Sequence, residues 1–114
     1  MKVIIAGSRK FNNYELLKEK CDKILVNQNE IEIVSGTARG ADKLGEKYAH
    51  EKSYLLKLIP ADWSKGKKAG YLRNELMAKY ADALIAFWDE KSKGTKHMIE
   101  LAHKYKLKVK VIKY

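Results

Sequence analysis

The sequence predicts an α/β fold of the Rossmann-like kind, a three-layer sandwich built around a five-stranded parallel sheet. Short apolar runs alternate five times with segments whose apolar residues recur at helical spacing, the pattern of consecutive strand–helix units. The runs are almost continuously apolar, which is typical of parallel strands covered by helices on both faces. The chain has 114 residues without a repeat or linker, so we expect one domain over residues 1–114.

The first half of the chain contains three predicted strands and two predicted helices. The strands are residues 2–6, 31–34 and 55–59. Apolar residues three or four positions apart indicate the two helices, namely Tyr14, Leu17, Cys21, Ile24 and Leu25, then Ala41, Leu44, Gly45, Tyr48 and Ala49. Asn12 and Glu15 have the N-x-x-E spacing of a capping box, which predicts that Asn12 caps the first helix.

The second half continues the alternation of helices and strands. Residues 61–71, "ADWSKGKKAGY", are interpreted as a long polar loop before a helix whose apolar stripe is Leu72, Leu76, Met77 and Tyr80. Residues 83–87 form the fourth strand, and Thr95 is the expected N-cap of a final helix. The last run, "LKVKVI", alternates apolar residues with lysine, as a protected edge strand does.

The connections predict the order of the strands. Right-handed crossovers leave few topologies, and the long connection after strand 3 favours the order 3-2-1-4-5. The switch point then lies between strands 1 and 4, and ligands bind outside the carboxyl ends of the strands beside it. The loops at this edge are "AGSRKFNN", "SGTARGAD", "PADWSKGKKAGY" and "FWDEKSKGT", which contain both tryptophans and two of the three arginines, and Arg73 follows just after the third loop.

The loop "SGTARGAD", residues 35–42, has the composition of a phosphate-binding turn. Gly36 and Gly40 permit a ligand to approach the backbone closely, and the N–H groups at the start of the next helix attract an anion. Arg39 can add a bidentate clamp. An ordinary strand-to-helix turn is the alternative, although Gly36 alone would suffice for it. The other small, polar and basic turns at this edge are Gly7-Ser8-Arg9 and Gly94-Thr95.

Further side chains at this edge suit a nucleotide. Trp63 and Trp88 either stack on a base or close the core. Carboxylates can accept from ribose hydroxyls or orient the arginines, and the candidates are Asp42, Asp62 and Asp89. The histidines have no metal-type spacing and are interpreted as surface residues; they are His50, His97 and His103. No catalytic constellation and no metal site is predicted.

The charge balance is strongly basic. Lys and Arg number 24 against 14 Asp and Glu, a net charge of +10, and such a field favours nucleic acid or nucleotides. Lysine richness that serves solubility is an equal alternative. The single Cys21 excludes an internal disulfide, and no run approaches the roughly 20 apolar residues of a membrane helix. We therefore expect a cytoplasmic protein with no membrane partner and no cofactor.

Six motifs occur in an order that resembles the SLOG superfamily of nucleotide-binding domains, in particular its small YspA/YpsA-related branch. They are "AGSRKF", "VSGTARGAD", "PADW", "GKKAGYLRN", "MAKYADALIAFWD" and "SKGT". The resemblance implies a nucleotide pocket formed by Gly7, Ser8, Arg9, Ser35, Gly36, Arg39, Gly40, Asp42, Arg73, Gly94 and Thr95. The predicted ligand-binding set is completed by Thr37, Asp62, Trp63, Asn74, Trp88 and Asp89.

Three functions are compatible with these features. The leading hypothesis is that the protein binds a nucleotide-like small molecule in order to sense, carry or sequester it. The second is a phosphoribohydrolase-type enzyme like the Lonely Guy proteins of this superfamily. His97 and Met98 stand where that family's glutamates would be, so another carboxylate would have to replace them: Asp62, Asp89 or Glu100. The third is single-stranded DNA binding, which the resemblance of "SGTARGAD" and "RN" to DNA-processing protein A implies. Relatives in the superfamily commonly dimerise, so a homodimer is also expected.

Overall fold

A computed structural model describes residues 1–114 as one five-stranded sheet with helices on both faces. The strands are β1 (Lys2–Gly7), β2 (Glu32–Ser35), β3 (Leu55–Leu58), β4 (Ala83–Trp88) and β5 (Lys108–Lys113). All neighbouring strands are parallel, and their order is β3-β2-β1-β4-β5. The predicted fold class and strand order are therefore confirmed.

Four α-helices of equal length connect the strands. They are α1 (Tyr14–Leu25), α2 (Ala41–Lys52), α3 (Ala69–Tyr80) and α4 (Lys93–Lys104). Side chains of α1 and α2 pack on one face of the sheet, and those of α3 and α4 pack on the other. The chain crosses from the first face to the second between β3 and α3, as the long connection at this point predicts.

The central strands β1 and β4 are buried on both faces, since helices cover both sides of the sheet and alternate residues of each strand point in opposite directions. In β1, Val3 and Ile5 belong to the core cluster under α1 and α2, whereas Ile4 and Ala6 belong to the cluster under α3 and α4. This two-sided burial explains why the strand is apolar without interruption. The loops that follow β1 and β4 therefore begin at strands that are firmly packed in the core.

The starts of two helices differ from the sequence prediction. Asn13, rather than Asn12, caps α1: its Oδ1 accepts the N–H of Leu16 at 3.1 Å. Ser92, rather than Thr95, caps α4, and its Oγ accepts the N–H of Thr95 at 3.3 Å. Several polar residues precede each helix, and only the path of the loop decides which of them has the non-helical backbone that an N-cap needs.

The segment predicted as the loop 61–71 is largely helical. A 3-10 helix, Trp63–Lys68, bends at Gly66 and leads directly into α3. The predicted stripe of α3 is also partly wrong, because Leu72 and Leu76 are 40% and 57% exposed. The buried face of α3 consists instead of Ala69, Asn74, Met77 and Ala78. These mostly small residues let α3 lie close to α4.

The two edges of the sheet differ in character. In β5, Lys108, Lys110 and Lys113 are exposed, as expected for a protected edge strand. All residues of β3 are exposed, including Leu55 at 69%. None of the helices is both long and apolar enough to traverse a lipid bilayer.

Candidate functional site

A cleft of about 460 Å³ lies at the carboxyl ends of β1 and β4, at the switch point of the sheet. The loop after each of these strands, the start of α2 and one side of α3 form its walls. Its lining residues are Ala6, Gly7, Ser8, Arg9, Lys10, Ala38, Asp42, Arg73, Asn74, Met77, Asp89, Lys91, Ser92, Gly94, Thr95 and Met98. The cleft therefore lies where ligands bind in open parallel sheets.

The loop after β1 is tied to the start of α2. The carbonyl oxygen of Ser8 accepts the N–H groups of Phe11 and Ala41, both at 3.2 Å. Gly40 has a φ of +78°, and a Cβ on it would lie 2.3 Å from the Ser8 carbonyl oxygen. A glycine at position 40 is thus required for packing of the two loops, and Gly40 itself does not line the cleft.

Arg73 is the best-fixed cation of the cleft. Its Nη1 donates to the carbonyl oxygen of Gly36 at 2.6 Å, and its Nε donates to Oδ1 of Asn74 at 3.1 Å. Gly36 makes room for this side chain, since a Cβ at position 36 would lie 2.9 Å from the Arg73 Cδ. Nη2 has no hydrogen-bond acceptor within the protein. Two of the guanidinium nitrogens are thus engaged with the protein, and Nη2 remains able to donate.

Asp42 is a buried carboxyl group beside Arg73. Only 5% of the residue is exposed, and Oδ2 accepts the N–H of Ala38 at 3.1 Å. Burial raises the pKa of Asp42 to about 6, although the Ala38 hydrogen bond and the charge of Arg73 both oppose the increase. The same burial lowers the pKa of Arg73, which stays charged at neutral pH. The cleft therefore contains a carboxyl group that exchanges its proton close to neutral pH.

Positive charge dominates the cleft. Its four cationic residues are Arg9, Lys10, Arg73 and Lys91. Each of the five ion pairs in the structure is formed by a lysine outside the cleft. Of the two carboxyl groups, Asp89 is engaged with the backbone, because its Oδ1 accepts the N–H groups of Lys91 and Ser92 at 2.9 and 2.8 Å. The cationic groups are thus left without carboxylate partners within ion-pair distance.

The N-terminus of α4 opens into the same cleft. Ser92 satisfies the N–H of Thr95, whereas the N–H groups of Lys93 and Gly94 have no acceptor in the protein. Unpaired N–H groups at a helix start carry partial positive charge. Trp88 stabilises this loop by donating its Nε1–H to the Ser92 carbonyl oxygen at 3.1 Å. Trp88 does not itself line the cleft.

A shallower depression of about 280 Å³ adjoins the cleft. Its lining residues are Arg9, Gly36, Thr37, Ala38, Arg39, Trp63 and Arg73. Trp63 is 58% exposed, and the Cζ of Arg9 lies 5.9 Å from the centre of its ring. Arg39, the expected phosphate clamp, is exposed in this depression and does not line the cleft.

The structure divides the predicted ligand-binding residues into three groups. Nine line the cleft: Gly7, Ser8, Arg9, Asp42, Arg73, Asn74, Asp89, Gly94 and Thr95. Gly36, Thr37, Arg39 and Trp63 line the depression. Ser35, Gly40, Asp62 and Trp88 line neither. Of these, Ser35 is buried and donates to Glu46 at 2.7 Å, and Asp62 accepts the N–H of Ser64 at the start of the 3-10 helix.

Sequence reasoning missed several residues of the cleft. Lys10, Lys91 and Ser92 belong to loops that the sequence already places at this edge, so their location was available. Ala6, Met77 and Met98 are almost fully buried residues that form part of the lining, and nothing in the sequence separates them from ordinary core. His97, interpreted as a surface residue, is partly buried and lies 3.2 Å from Asn74.

Comparison with known proteins gives a family match and a curated relative. The family model "YAcAr: YspA, cpYpsA-related SLOG family" matches residues 1–66. The Gene 61 protein of Mycobacterium phage D29 is 33% identical over 111 residues, which cover 90% of this chain and 89% of the phage protein.

Two solved structures have a similar fold. DNA processing protein A from Streptococcus pneumoniae covers 96% of this chain with a TM-score of 0.76 and 18% identity. The protein of the same name from Helicobacter pylori, whose structure describes a single-stranded DNA binding mode, covers 97% with a TM-score of 0.68 and 23% identity. This chain spans only 49% and 64% of those two chains. The likeness therefore concerns the fold of one part of each.

Proposed function

The chain belongs to the YspA, cpYpsA-related SLOG family, and on that premise we propose that it binds a nucleotide or nucleotide-derived ligand in the cleft. The observation that carries the proposal is the state of Arg73. Its guanidinium group is partly buried and oriented by two hydrogen bonds, yet no carboxylate lies within ion-pair distance. A phosphate supplies the acceptor that Nη2 lacks, together with negative charge at ion-pair distance.

The surroundings of Arg73 fit the rest of such a ligand. Arg9 and the unpaired N–H groups at the start of α4 face the same space, and each charge-assisted hydrogen bond to a phosphate contributes about 1.5–3 kcal/mol. Met77 and Met98, which are almost fully buried, form the apolar floor of the cleft. In its ionised form, Asp42 can accept a hydrogen bond from a ribose hydroxyl. We propose that Arg39 contributes from the adjoining depression.

Single-stranded nucleic acid is the second candidate, and the depression is the observation that favours it. Its exposed Trp63 lies beside Arg9 and Arg39, and a base stacked on an aromatic side chain contributes about 1–3 kcal/mol. The H. pylori DNA processing protein A, of similar fold, binds single-stranded DNA. We propose no hydrolytic step, because Asp62 and Glu100 do not line the cleft and Oδ1 of Asp89 already accepts two backbone N–H groups.

Thermal unfolding with a panel of AMP, ADP, ADP-ribose and a short deoxyoligonucleotide tests the proposal. A ligand at about 100 times its dissociation constant adds roughly 2.7 kcal/mol to the free energy of unfolding. Arg73→Gln and Arg9→Gln should each weaken the response to a mononucleotide, and Arg39→Gln should weaken the oligonucleotide response more. Arg9 is exposed, so its substitution leaves the fold intact. A mononucleotide response that persists in both Arg73→Gln and Arg9→Gln would overturn the assignment to the cleft.

A further inference from the structure

A chain of hydrogen bonds connects Arg73 to a histidine outside the cleft lining. The Nε of Arg73 donates to Oδ1 of Asn74 at 3.1 Å. On its other side, Nδ2 of Asn74 lies 3.2 Å from Nδ1 of His97 and 3.3 Å from the carbonyl oxygen of Gly94. Asn74 is 6% exposed. This series of hydrogen bonds therefore runs from Arg73 on α3 to the first turns of α4.

The donors and acceptors in this chain determine the proton on His97. Arginine nitrogens only donate, so the oxygen of the Asn74 amide must face Arg73. The NH₂ group of Asn74 then faces His97 and the Gly94 carbonyl, and it can only donate to them. Nδ1 of His97 is consequently an acceptor without a proton, and the ring carries its single proton on Nε2.

We propose that Asn74 and His97 are positioning residues for the anion site, and that neutral His97 is required to hold Arg73 in its binding position. The inference rests on the proposed function, because Arg73 is taken as the residue that contacts the phosphate. It also adds a regulatory property: anion binding in the cleft weakens when His97 takes up a second proton.

Protonation of His97 disrupts this series of hydrogen bonds in either orientation of the Asn74 amide. A proton on Nδ1 would point at the NH₂ group of Asn74, which is also a donor. If the amide turned over, its NH₂ group would face the Nε–H of Arg73, and its oxygen would face the Gly94 carbonyl oxygen. When His97 becomes charged, the Asn74 amide therefore either loses its His97 contact or turns over, and turning over leaves Arg73 held by its Nη1–Gly36 hydrogen bond alone. By reciprocity, an anion that holds Arg73 in place lowers the proton affinity of His97.

The surroundings of His97 favour its neutral form. Tyr71 from α3 contacts the ring edge-on, with 4.5 Å between ring centroids. Burial lowers the pKa of His97, while the charges of Glu100 on α4 and Glu75 on α3 oppose the decrease. The neutral form of His97, which these hydrogen bonds require, therefore predominates at neutral pH and is lost on acidification.

His97→Gln is the informative substitution, because Oε1 of glutamine can accept from Asn74 and does not titrate. His103→Gln is the matched control, since His103 is exposed on the same helix. Affinity for ADP-ribose and for sulfate, whose charges stay constant, is measured at about pH 7.5 and about pH 5.5. Asp42 titrates in this range in every variant, so the comparison between variants isolates His97.

Acidification to about pH 5.5 should weaken binding by about two- to fivefold more in the wild type and His103→Gln than in His97→Gln, because the bound anion lowers the proton affinity of His97. Parallel pH profiles for the wild type and His97→Gln would overturn the proposal.

Nuclear magnetic resonance of the ligand-free protein tests the inference separately from the proposed function. Imidazole nitrogen shifts should place the His97 proton on Nε2, and the Arg73 Nε–H signal should change with the same midpoint as His97. The inference would be rejected, even if nucleotides bind, by a proton on Nδ1 of His97 at neutral pH or by an Arg73 Nε–H signal that does not change as His97 titrates. Failure of every probe to bind, with these signals as expected, would reject the proposed function and the anion-site role of the chain.

Discussion

At the scale of single residues, Asp42 is the group whose burial conflicts most with its charge. It lies almost fully buried in the cleft beside Arg73 and accepts one backbone N–H, yet its pKa is raised to about 6. The carboxylate therefore costs stability wherever it is ionised. An asparagine could accept the same N–H from Ala38 without a charge. A carboxyl group that is buried in a cleft at a cost in stability is a candidate for ligand binding.

We predict that Asp42→Asn raises the free energy of unfolding at neutral pH. The folded-state pKa of about 6 lies above the reference value of 3.8, so the folded chain binds this proton more tightly than the unfolded chain. The resulting stability is complete below about pH 4 and is lost as the pH rises through about 6, which amounts to roughly 2–3 kcal/mol. Urea titrations at several pH values should show a gain at about pH 7.5 and none at about pH 4.

Asp89→Asn is the contrasting variant. Hydrogen bonds from the N–H groups of Ser92 and Lys91 lower the pKa of Asp89, so this carboxylate stabilises the fold above its unfolded-state pKa. That stability is lost as the pH falls. Its replacement should therefore lower stability at neutral pH. If Asp42→Asn were destabilising at neutral pH in the same way, Asp42 would be a structural carboxylate rather than a strained one.

At the scale of elements, the start of α1 is fixed by one of two adjacent asparagines. The Oδ1 of Asn13 accepts the N–H of Leu16, whereas Asn12 is exposed and makes no such bond. We predict that Asn13→Ala lowers the free energy of unfolding by about 1 kcal/mol. Asn12→Ala should leave it almost unchanged. Chemical denaturation of both variants measures this, and equal losses would mean that the cap is shared.

The sequence was sufficient to predict the five strands and the four α-helices, but not the 3-10 helix or the face of α3 that is buried. Apolar runs reveal β1 and β4 because both faces of each strand are buried, and the strand order follows from handedness and connection length. The face of α3 that packs on the sheet could not be predicted. Its leucines are exposed and a polar residue, Asn74, is buried, because Asn74 is satisfied by groups from α3 and α4 that meet only after folding.

The same distinction applies to the site. The sequence places the right loops at one edge, since this depends only on topology. It assigns the phosphate clamp to Arg39 because that arginine lies inside a glycine-rich turn. It includes Arg73 only through the family resemblance. The structure places Arg73 in the cleft, where Gly36 leaves space for it, and Arg39 in the adjoining depression. This contact joins residues 37 positions apart, and no local pattern can indicate it.

At the scale of the whole molecule, several exposed apolar side chains favour the expected homodimer. Leu55 on β3 is 69% exposed, and Leu72 and Leu76 on α3 are 40% and 57% exposed. We predict that light scattering at micromolar concentration gives twice the subunit mass of 13.1 kDa. Leu76→Lys should reduce the mass to one subunit with little change in monomer stability, because exposed substitutions typically change it by less than about 0.5 kcal/mol. A single subunit mass for the wild type would exclude a stable dimer.

The salt dependence of binding separates the cleft from the basic surface. The chain carries a net charge of +10. If several lysines neutralise the phosphates of a single-stranded oligonucleotide, the logarithm of the affinity should fall with the logarithm of the salt concentration, with a slope of about −0.7 per neutralised phosphate. A nucleotide in the cleft uses a few directed hydrogen bonds and should show a shallow slope.

The lysines at the far end of the sheet provide the control for this prediction. Lys108 pairs with Ala83 at the start of β4, so it lies at the edge opposite the cleft, and Lys106 and Lys110 are near it in sequence. Replacing these three lysines by glutamate should weaken oligonucleotide binding at low salt and leave ADP-ribose binding unchanged. Isothermal titration calorimetry at several salt concentrations measures both. Tight oligonucleotide binding at physiological salt, without any nucleotide response, would favour nucleic acid as the ligand and identify the depression around Trp63, rather than the cleft, as the main contact.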